Sequence, residues 1–307
     1  MRTIKDYIVL SLKGVAMGAA DVVPGVSGGT IAFISGVYEE LLNTISSVNL
    51  QALKTLKNDG LKAAWSHING NFLVALFLGM GISFVSLAKA VTYFLEYHPI
   101  QLWSFFFGLV LASIIYVGKQ VEKWDVLSIV GLITGGVVAY FITVLPPLGD
   151  TSASWYVFVS GLIAICAMIL PGISGSFILV ILGSYKTVMG AITDKDIKIL
   201  AIFAGGCIVG LLAFSRVLKW LFNNFKNVTI AILTGFLIGS LNKIWPWKET
   251  KEFIIDRHGD VLPTVQENLL PGSFAGDNHL MVSILCCIGG AAIIFLMEFA
   301  ANKLKSK

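Results

Sequence analysis

Two long stretches of this chain contain no charged residue. Residues 71–88 and 126–145 hold no Lys, Arg, Asp or Glu, and a helix needs about 20 mostly apolar residues to cross the hydrocarbon core of a bilayer. The composition agrees, since 56% of the residues are hydrophobic and 13% are charged, whereas soluble proteins carry roughly 25% charged residues. The sequence therefore predicts an integral membrane protein that crosses the bilayer several times and binds no nucleic acid.

The chain carries the same motif twice. PGVSGG begins at Pro24 and PGISGS begins at Pro171, and each copy is followed by an apolar run that ends in Gly-x-Tyr. Further pairs match at a second offset, and a weaker third block follows: Gly79 with Gly206, Lys89 with Arg216, Gly108 with Gly235, Ser113 with Ser240, and Gly135-Gly136 with Gly289-Gly290. We interpret residues 1–307 as a single transmembrane domain built from two repeats, 1–148 and 152–307.

Each repeat opens with a break in an apolar stretch. Proline disfavours helix for the residue before it, glycine frees the chain to turn, and Ser27 and Ser174 stand where the next helix would be capped. The predicted hairpin arms are residues 8–23 and 28–45, then 155–170 and 175–192. The predicted plain spans are 72–95, 102–117 and 126–145, then 200–222, 228–244 and 280–300. The predicted fold is an all-α polytopic membrane protein with a re-entrant hairpin and three transmembrane helices per repeat.

The cations indicate how the repeats are oriented. If each hairpin returns to its starting side, the two repeats are inverted, and most cations share one face: Arg2, Lys5, Lys54, Lys57, Lys62, Lys119, Lys123, Lys219, Lys226, Lys303, Lys305 and Lys307. The positive-inside rule then predicts cytoplasmic N- and C-termini, a cytoplasmic stretch 46–71 and an external loop 245–279 in the cell membrane. The alternative is one crossing per broken segment, which exports Lys54, Lys57 and Lys62; we favour inverted repeats.

The two helix breaks are the predicted substrate site. Broken backbone at membrane depth needs protein or a wet cavity around it, and paired breaks in two halves mark the binding site of many transporters. The start of each second arm offers free N–H groups that favour an anion such as phosphate. We expect both tips to converge near the bilayer midplane and line one cavity, through Ser27, Gly28, Gly29, Thr30, Ser174, Gly175 and Ser176. A hairpin used only for packing is the alternative.

Several charged residues inside the apolar segments are further candidates. Lys89 and Arg216 occupy equivalent repeat positions, and intramembrane cations are functional by default, although both side chains are long enough to snorkel to the interface. We predict a relay in which Lys89 captures a phosphate at the outer leaflet and Arg216 delivers it at the inner one. Lys13 and Asp21 share the first arm, where they either pair through an intermediate group or serve separately as anion contact and proton carrier. Glu39 is a second coupling candidate near the interface.

No pattern in the sequence points to catalysis. No Walker loop, HExxH motif or defensible Ser-His-Asp order is present. We therefore expect a non-enzyme without cofactor or metal, whose substrate leaves chemically unchanged. Coupling to protons or sodium and the oligomeric state stay open.

The doubled motif resembles a known family. ADVVPGVSGGT, the following GVYEELL, and LPGISGSFILVILGSY are similar to a bacterial membrane family once catalogued as a domain of unknown function and now understood as polyprenyl-phosphate transporters. The resemblance implies a lipid-phosphate substrate, undecaprenyl phosphate, which is returned from the outer to the cytoplasmic leaflet for cell-wall synthesis. The residues alone also allow a secondary transporter of a small water-soluble anion, or an embedded enzyme acting on lipid phosphates.

Overall fold

The protein is a helical bundle that carries a small β-hairpin. The computed structural model describes residues 2–23, 26–148, 153–255 and 261–305. The helices of the first repeat are α1 (Ile4–Val22), α2 (Gly28–Ile34), α3 (Tyr38–Ser46), α4 (Leu50–His67), α5 (Gly70–Ser86), α6 (Ala88–Tyr97), α7 (Pro99–Gly118) and α8 (Val126–Val144). Those of the second are α9 (Ser154–Ile169), α10 (Gly175–Ile181), α11 (Tyr185–Thr193), α12 (Ile197–Asn224), α13 (Lys226–Ser240) and α14 (Leu280–Lys305).

Several of these helices are long and apolar enough to cross a membrane. Within the described ranges α7, α8 and α12 qualify alone, and the total rises to five if the bent pairs α4–α5 and α10–α11 each count as one span. Helices α9 and α13 and the apolar part of α14 are shorter. The polytopic, predominantly helical architecture expected from the sequence is confirmed. The inverted orientation of the repeats stays a prediction.

Both hairpins have one more break than the sequence indicated. The predicted second arms, 28–45 and 175–192, each divide in two, because Gly36 and Gly183 adopt φ values of 73° and 65°. Left-handed backbone ends a helix and is nearly free of cost only for glycine. In the second repeat the resulting bend between α10 and α11 is 113°. The Gly-x-Tyr ending is therefore a turn between two short helices.

The long polar stretches are also more ordered than a plain loop. Residues 50–67 form α4, which Asn49 caps and Gly60 interrupts with a φ of 83°. In the stretch 245–279, strands β1 (Lys248–Ile255) and β2 (Val261–Asn268) pair antiparallel, which adds a small two-stranded element to the predicted helical fold. Tryptophan anchors this hairpin region, because the Trp247 indole donates to the Asn278 carbonyl at 2.9 Å.

Glycine contacts show that the two repeats pack alike. A Cβ on Gly79 would meet the carbonyl of Ser11 on α1, and a Cβ on Gly206 would meet the carbonyl of Phe158 on α9. Ser11 and Phe158 stand at the offset that relates the two PG-S-G motifs. Close backbone approach therefore joins α1 to α5 and α9 to α12 in the same way.

The remaining long helices pair across the repeats. Gly108 of α7 lies against Cys287 of α14, and Gly235 of α13 lies against Leu132 of α8. Gly290 packs on Phe105 as Gly135 packs on Ile232. These contacts make Gly290 the counterpart of Gly135, so the sequence pairing of Gly135-Gly136 with Gly289-Gly290 is shifted by one residue. Each repeat contributes its last helix to the other repeat.

Candidate functional site

The tips of the two hairpins touch each other. The Gly172 N–H donates to the Thr30 hydroxyl at 2.9 Å, and the Ser27 hydroxyl lies 3.2 Å from the carbonyls of both Met168 and Leu170. Ser27 and Thr30 are fully buried. Pro24 and Gly25, which belong to the predicted first tip, lie outside the described residues. The contacts show that the tips converge; their depth in the bilayer, and a cavity lined by both tips, stay predictions.

The two motif serines play different parts in the hairpins. Ser27 caps α2 as predicted, because its hydroxyl oxygen accepts the Gly29 N–H at 3.1 Å. Ser174 stands at the equivalent position of α10 but makes no such cap. Its hydroxyl instead pairs with the Ser176 hydroxyl at 2.8 Å. The second tip is therefore not a copy of the first in its polar chemistry.

A cavity of about 460 Å³ opens beside the tip junction. Its walls come from α1, α2, α3, α5, α9 and α12. The lining residues are Met17, Asp21, Gly28, Gly29, Tyr38, Leu41, Ile45, Val48, Leu73, Leu76, Phe77, Met80, Ile165, Met168, Ile169, Ile208, Leu211 and Leu212. We call this space the central cavity. Both repeats contribute to it, and Asp21 is the one ionisable carboxyl group in that lining.

Asp21 is held against the start of α2. One carboxylate oxygen accepts the Gly28 N–H at 2.6 Å. A side chain at Gly28 would meet that carboxylate, whereas a side chain at Gly29 would meet the carbonyl of Ile169. The N–H groups that were predicted to hold an anion are thus engaged, Gly28 by Asp21 and Gly29 by Ser27. A phosphate that enters here must displace Asp21 or share the site with its protonated form.

Tyr38 is a cavity residue to which sequence analysis gave no role. Its side chain is 2% exposed, and its ring lies 5.0 Å from that of Phe33 and 5.9 Å from that of Phe222. The Tyr38 hydroxyl is buried without a hydrogen-bond partner in the described chain, a condition that costs about 1–3 kcal/mol. The repeated Gly-x-Tyr ending was the signal that could have marked it.

The other predicted site residues are dispersed. The Arg216 guanidinium donates to the carbonyl of Val48, a residue of the cavity wall, at 3.0 Å. The Lys13 ammonium donates to the Ser35 carbonyl at 2.6 Å, so it stabilises the break between α2 and α3. Lys89 on α6 and Glu39 on α3 are exposed and do not line the central cavity. Gly175 packs against the Ala164 carbonyl.

Comparison with known proteins identifies the family. The sequence profile of the undecaprenyl phosphate translocase-like family matches residues 17–262. The chain belongs to that family. A protein of Vibrio cholerae named polyprenyl-phosphate transporter is 46% identical over 302 residues, which cover 97% of this chain and 98% of the relative.

A second relative lies further away. A Staphylococcus aureus protein of the same name is 31% identical over 253 residues, or 76% of this chain and 85% of that protein. No solved structure matches the chain. Both relatives are named as transporters. Their names agree with the prediction that this chain is not an enzyme. The resemblance found in the doubled motif is confirmed.

Proposed function

We propose that this protein moves undecaprenyl phosphate, or a closely related polyprenyl phosphate, from the outer to the cytoplasmic leaflet of the cell membrane. Such transport returns the lipid carrier to cell-wall synthesis. The observation that carries the proposal is the central cavity, in which an apolar wall from both repeats surrounds a single carboxyl group and a glycine backbone. An amphiphile with one charged head and an apolar chain fits such a wall.

The residues around the cavity suit a phosphate head. In the proposal, Gly28, Gly29 and the Tyr38 hydroxyl donate to the phosphate oxygens, and Asp21 releases the Gly28 N–H when it takes up a proton. Two negative groups close together disfavour each other's charged form, so phosphate entry and Asp21 protonation are linked. This linkage gives a route for proton coupling.

Arg216 fits the exit of this path. Arginine binds phosphate as a planar fork with two parallel hydrogen bonds, and Arg216 already holds the carbonyl of Val48 at the cavity wall. The proposal therefore keeps Arg216 as the residue that delivers the phosphate at the cytoplasmic leaflet. Lys89 has no such link to the central cavity, and its role in capture stays a prediction.

The alternative is a transporter for a small water-soluble anion. Such a carrier needs a polar path, because an ion moved through an apolar wall without partners loses its solvation. The lining of the central cavity is mostly Leu, Ile, Met and Phe, which favours the lipid substrate.

Reconstitution in proteoliposomes tests the proposal. Labelled undecaprenyl phosphate is placed in one leaflet, and its arrival in the other is followed against protein-free vesicles and against inorganic phosphate uptake. We expect protein-dependent movement of the lipid and no uptake of inorganic phosphate. Uptake of inorganic phosphate without lipid movement would support the small-anion carrier instead.

A further inference from the structure

A second cavity lies at the end of the bundle that the charge distribution predicts to be external. It has a volume of about 300 Å³ and sits where the last turns of α8 and α13 meet the β-hairpin. Its lining comprises Tyr140, Thr143, Val144, Leu145, Asn242, Lys243, Lys248, Val265, Gln266, Glu267 and Asn268. A cavity needs only about 10–15 Å³ of such space to hold one water molecule, so this one has room for a phosphate group. We call it the basic cavity.

Two lysines give the basic cavity its charge. The Lys248 ammonium lies 4.1 Å from the centre of the Trp103 ring and donates to the Lys243 carbonyl. The Lys243 ammonium lies 4.2 Å from the centre of the Phe177 ring. Within the described part of the chain neither lysine has a carboxylate at ion-pair distance. Glu267 is in the wall, but its carboxylate pairs with Lys251 at 3.4 Å.

The surroundings leave both charges poorly compensated. Burial lowers the pKa of Lys243 to about 8. Burial, and then the neighbouring Lys243 charge, lower the pKa of Lys248 well below its ordinary value. Two half-buried ammonium groups that repel each other are stabilised when an anion enters between them. The arrangement favours occupation by a doubly charged anion.

The wall of the basic cavity is already fixed by hydrogen bonds. The Asn242 amide donates to the Thr143 hydroxyl at 2.7 Å, and the Asn268 amide donates to the Asn242 side-chain oxygen at 2.8 Å. The Trp245 indole donates to the Leu269 carbonyl at 2.8 Å. A site that is rigid before binding loses less conformational entropy when its ligand arrives.

The basic cavity is linked to the central cavity through the second hairpin. Phe177, which lies under the Lys243 ammonium, belongs to α10. The tip that precedes α10 donates from Gly172 to Thr30, beside Gly28 and Gly29 of the central cavity. Gly172 also lies against Ser240 at the end of α13. One short chain of contacts therefore joins Lys243 to the tip junction.

We propose that the basic cavity is the loading site for the phosphate head of a polyprenyl phosphate, which binds between the ammonium groups of Lys243 and Lys248. The inference rests on the proposed function and adds the place where substrate enters. The ligand class is a phosphate monoester with an apolar chain, because Val144, Leu145 and Val265 lie beside the cations in the wall. The proposal gives capture at the outer leaflet to these two lysines, where the sequence alone predicted Lys89.

Lysine footprinting on the purified full chain tests the loading site. A water-soluble amine-acylating reagent is applied with and without farnesyl phosphate, and the modification of each lysine is followed by mass spectrometry. At ten times its dissociation constant, farnesyl phosphate should slow acylation of Lys243 by about tenfold. Lys251, which is exposed on the same β-hairpin and paired with Glu249 and Glu267, is the matched control and should react at an unchanged rate.

Transport by substituted proteins separates this inference from the proposed function. Lys243→Gln and Lys248→Gln should each raise the farnesyl phosphate concentration for half-maximal translocation by about tenfold, as expected for one lost charge-assisted hydrogen bond, and Lys251→Gln should not.

Equal protection of Lys243 by inorganic phosphate alone would overturn the lipid assignment. Normal translocation by both variants would overturn the loading site while the proposed function stands. A wild-type protein that moves no polyprenyl phosphate would overturn the proposed function.

Discussion

Asp21 combines a structural and a functional role in one side chain. Its carboxylate accepts the Gly28 N–H and also lines the central cavity. Asp21→Asn keeps an acceptor oxygen for Gly28 but removes the charge and the titratable proton. We expect unchanged membrane insertion and a fall in proteoliposome transport of about tenfold or more, because the variant cannot take up and release the proton that is linked to phosphate entry. Asp59→Asn, at an exposed position of α4, is the charge-matched control. If the Asp21 and Asp59 variants transport at the same rate, Asp21 has no role in transport.

Gly28 and Gly29 are adjacent, yet we expect their alanine variants to differ. At Gly28 the new methyl group meets the movable Asp21 carboxylate, so Gly28→Ala should displace that group and reduce transport with little loss of stability. At Gly29 it meets the backbone carbonyl of Ile169, which cannot move without shifting α9. Overpacking of this kind costs about 1–3 kcal/mol. Thermal unfolding in detergent measures the difference, and equal melting temperatures for the two variants would contradict it.

Lys243 should make substrate capture depend on pH. Burial lowers its pKa to about 8, so the ammonium is charged below that pH and neutral above it. Phosphate monoesters have a second pKa of about 6, and the substrate charge is therefore constant above pH 7. Farnesyl phosphate affinity should fall as the pH rises from 7 to 9. The other titratable groups that face the same cavity are Lys248, Glu267 and Tyr140. Lys243→Arg, which does not titrate in this range, should flatten the profile; an unchanged profile would exclude Lys243 as its source.

At the scale of elements, the hairpin junction depends on few side-chain contacts. Thr30 supplies the acceptor for the Gly172 N–H, and Thr30→Val keeps the shape while removing that acceptor. A buried donor left without a partner costs about 1–3 kcal/mol. We expect the Val variant to unfold at a lower temperature and transport poorly, and Thr30→Ser to retain most of both properties. If the Val and Ser variants behave alike, the hydrogen bond does not hold the tips together.

The whole molecule offers a direct test of its orientation. The cation distribution predicts that α4 faces the cytoplasm and that the β-hairpin faces the exterior. Cysteines introduced at Lys57 and at Lys251, both exposed, should react with a membrane-impermeant thiol reagent from opposite sides of sealed vesicles. Measurement of labelling before and after vesicle disruption gives the result. Reaction of both positions from the same side would refute the inverted repeats.

The short-range Pro-Gly-Ser pattern predicted where the hairpin helices begin. Features that depend on long-range packing were missed. Pro, Gly and Ser act within a few residues, so the starts of α2 at Gly28 and α10 at Gly175 were correctly placed. The turns at Gly36 and Gly183 were overlooked because apolar periodicity continues through them. The basic cavity was beyond prediction, since Lys243 meets Phe177 of α10, and Lys248 meets Trp103 of α7, only in the folded chain.

The exchange of last helices between repeats bears on how the chain is made. Helix α8 packs on α13, and α7 packs on α14, so the first repeat leaves the ribosome with two glycine-lined faces uncovered. At roughly 5–20 residues per second, α14 follows α7 only after many seconds of synthesis. During that interval lipid must cover those faces and then be expelled. The first repeat is therefore fully packed only once the second has been made.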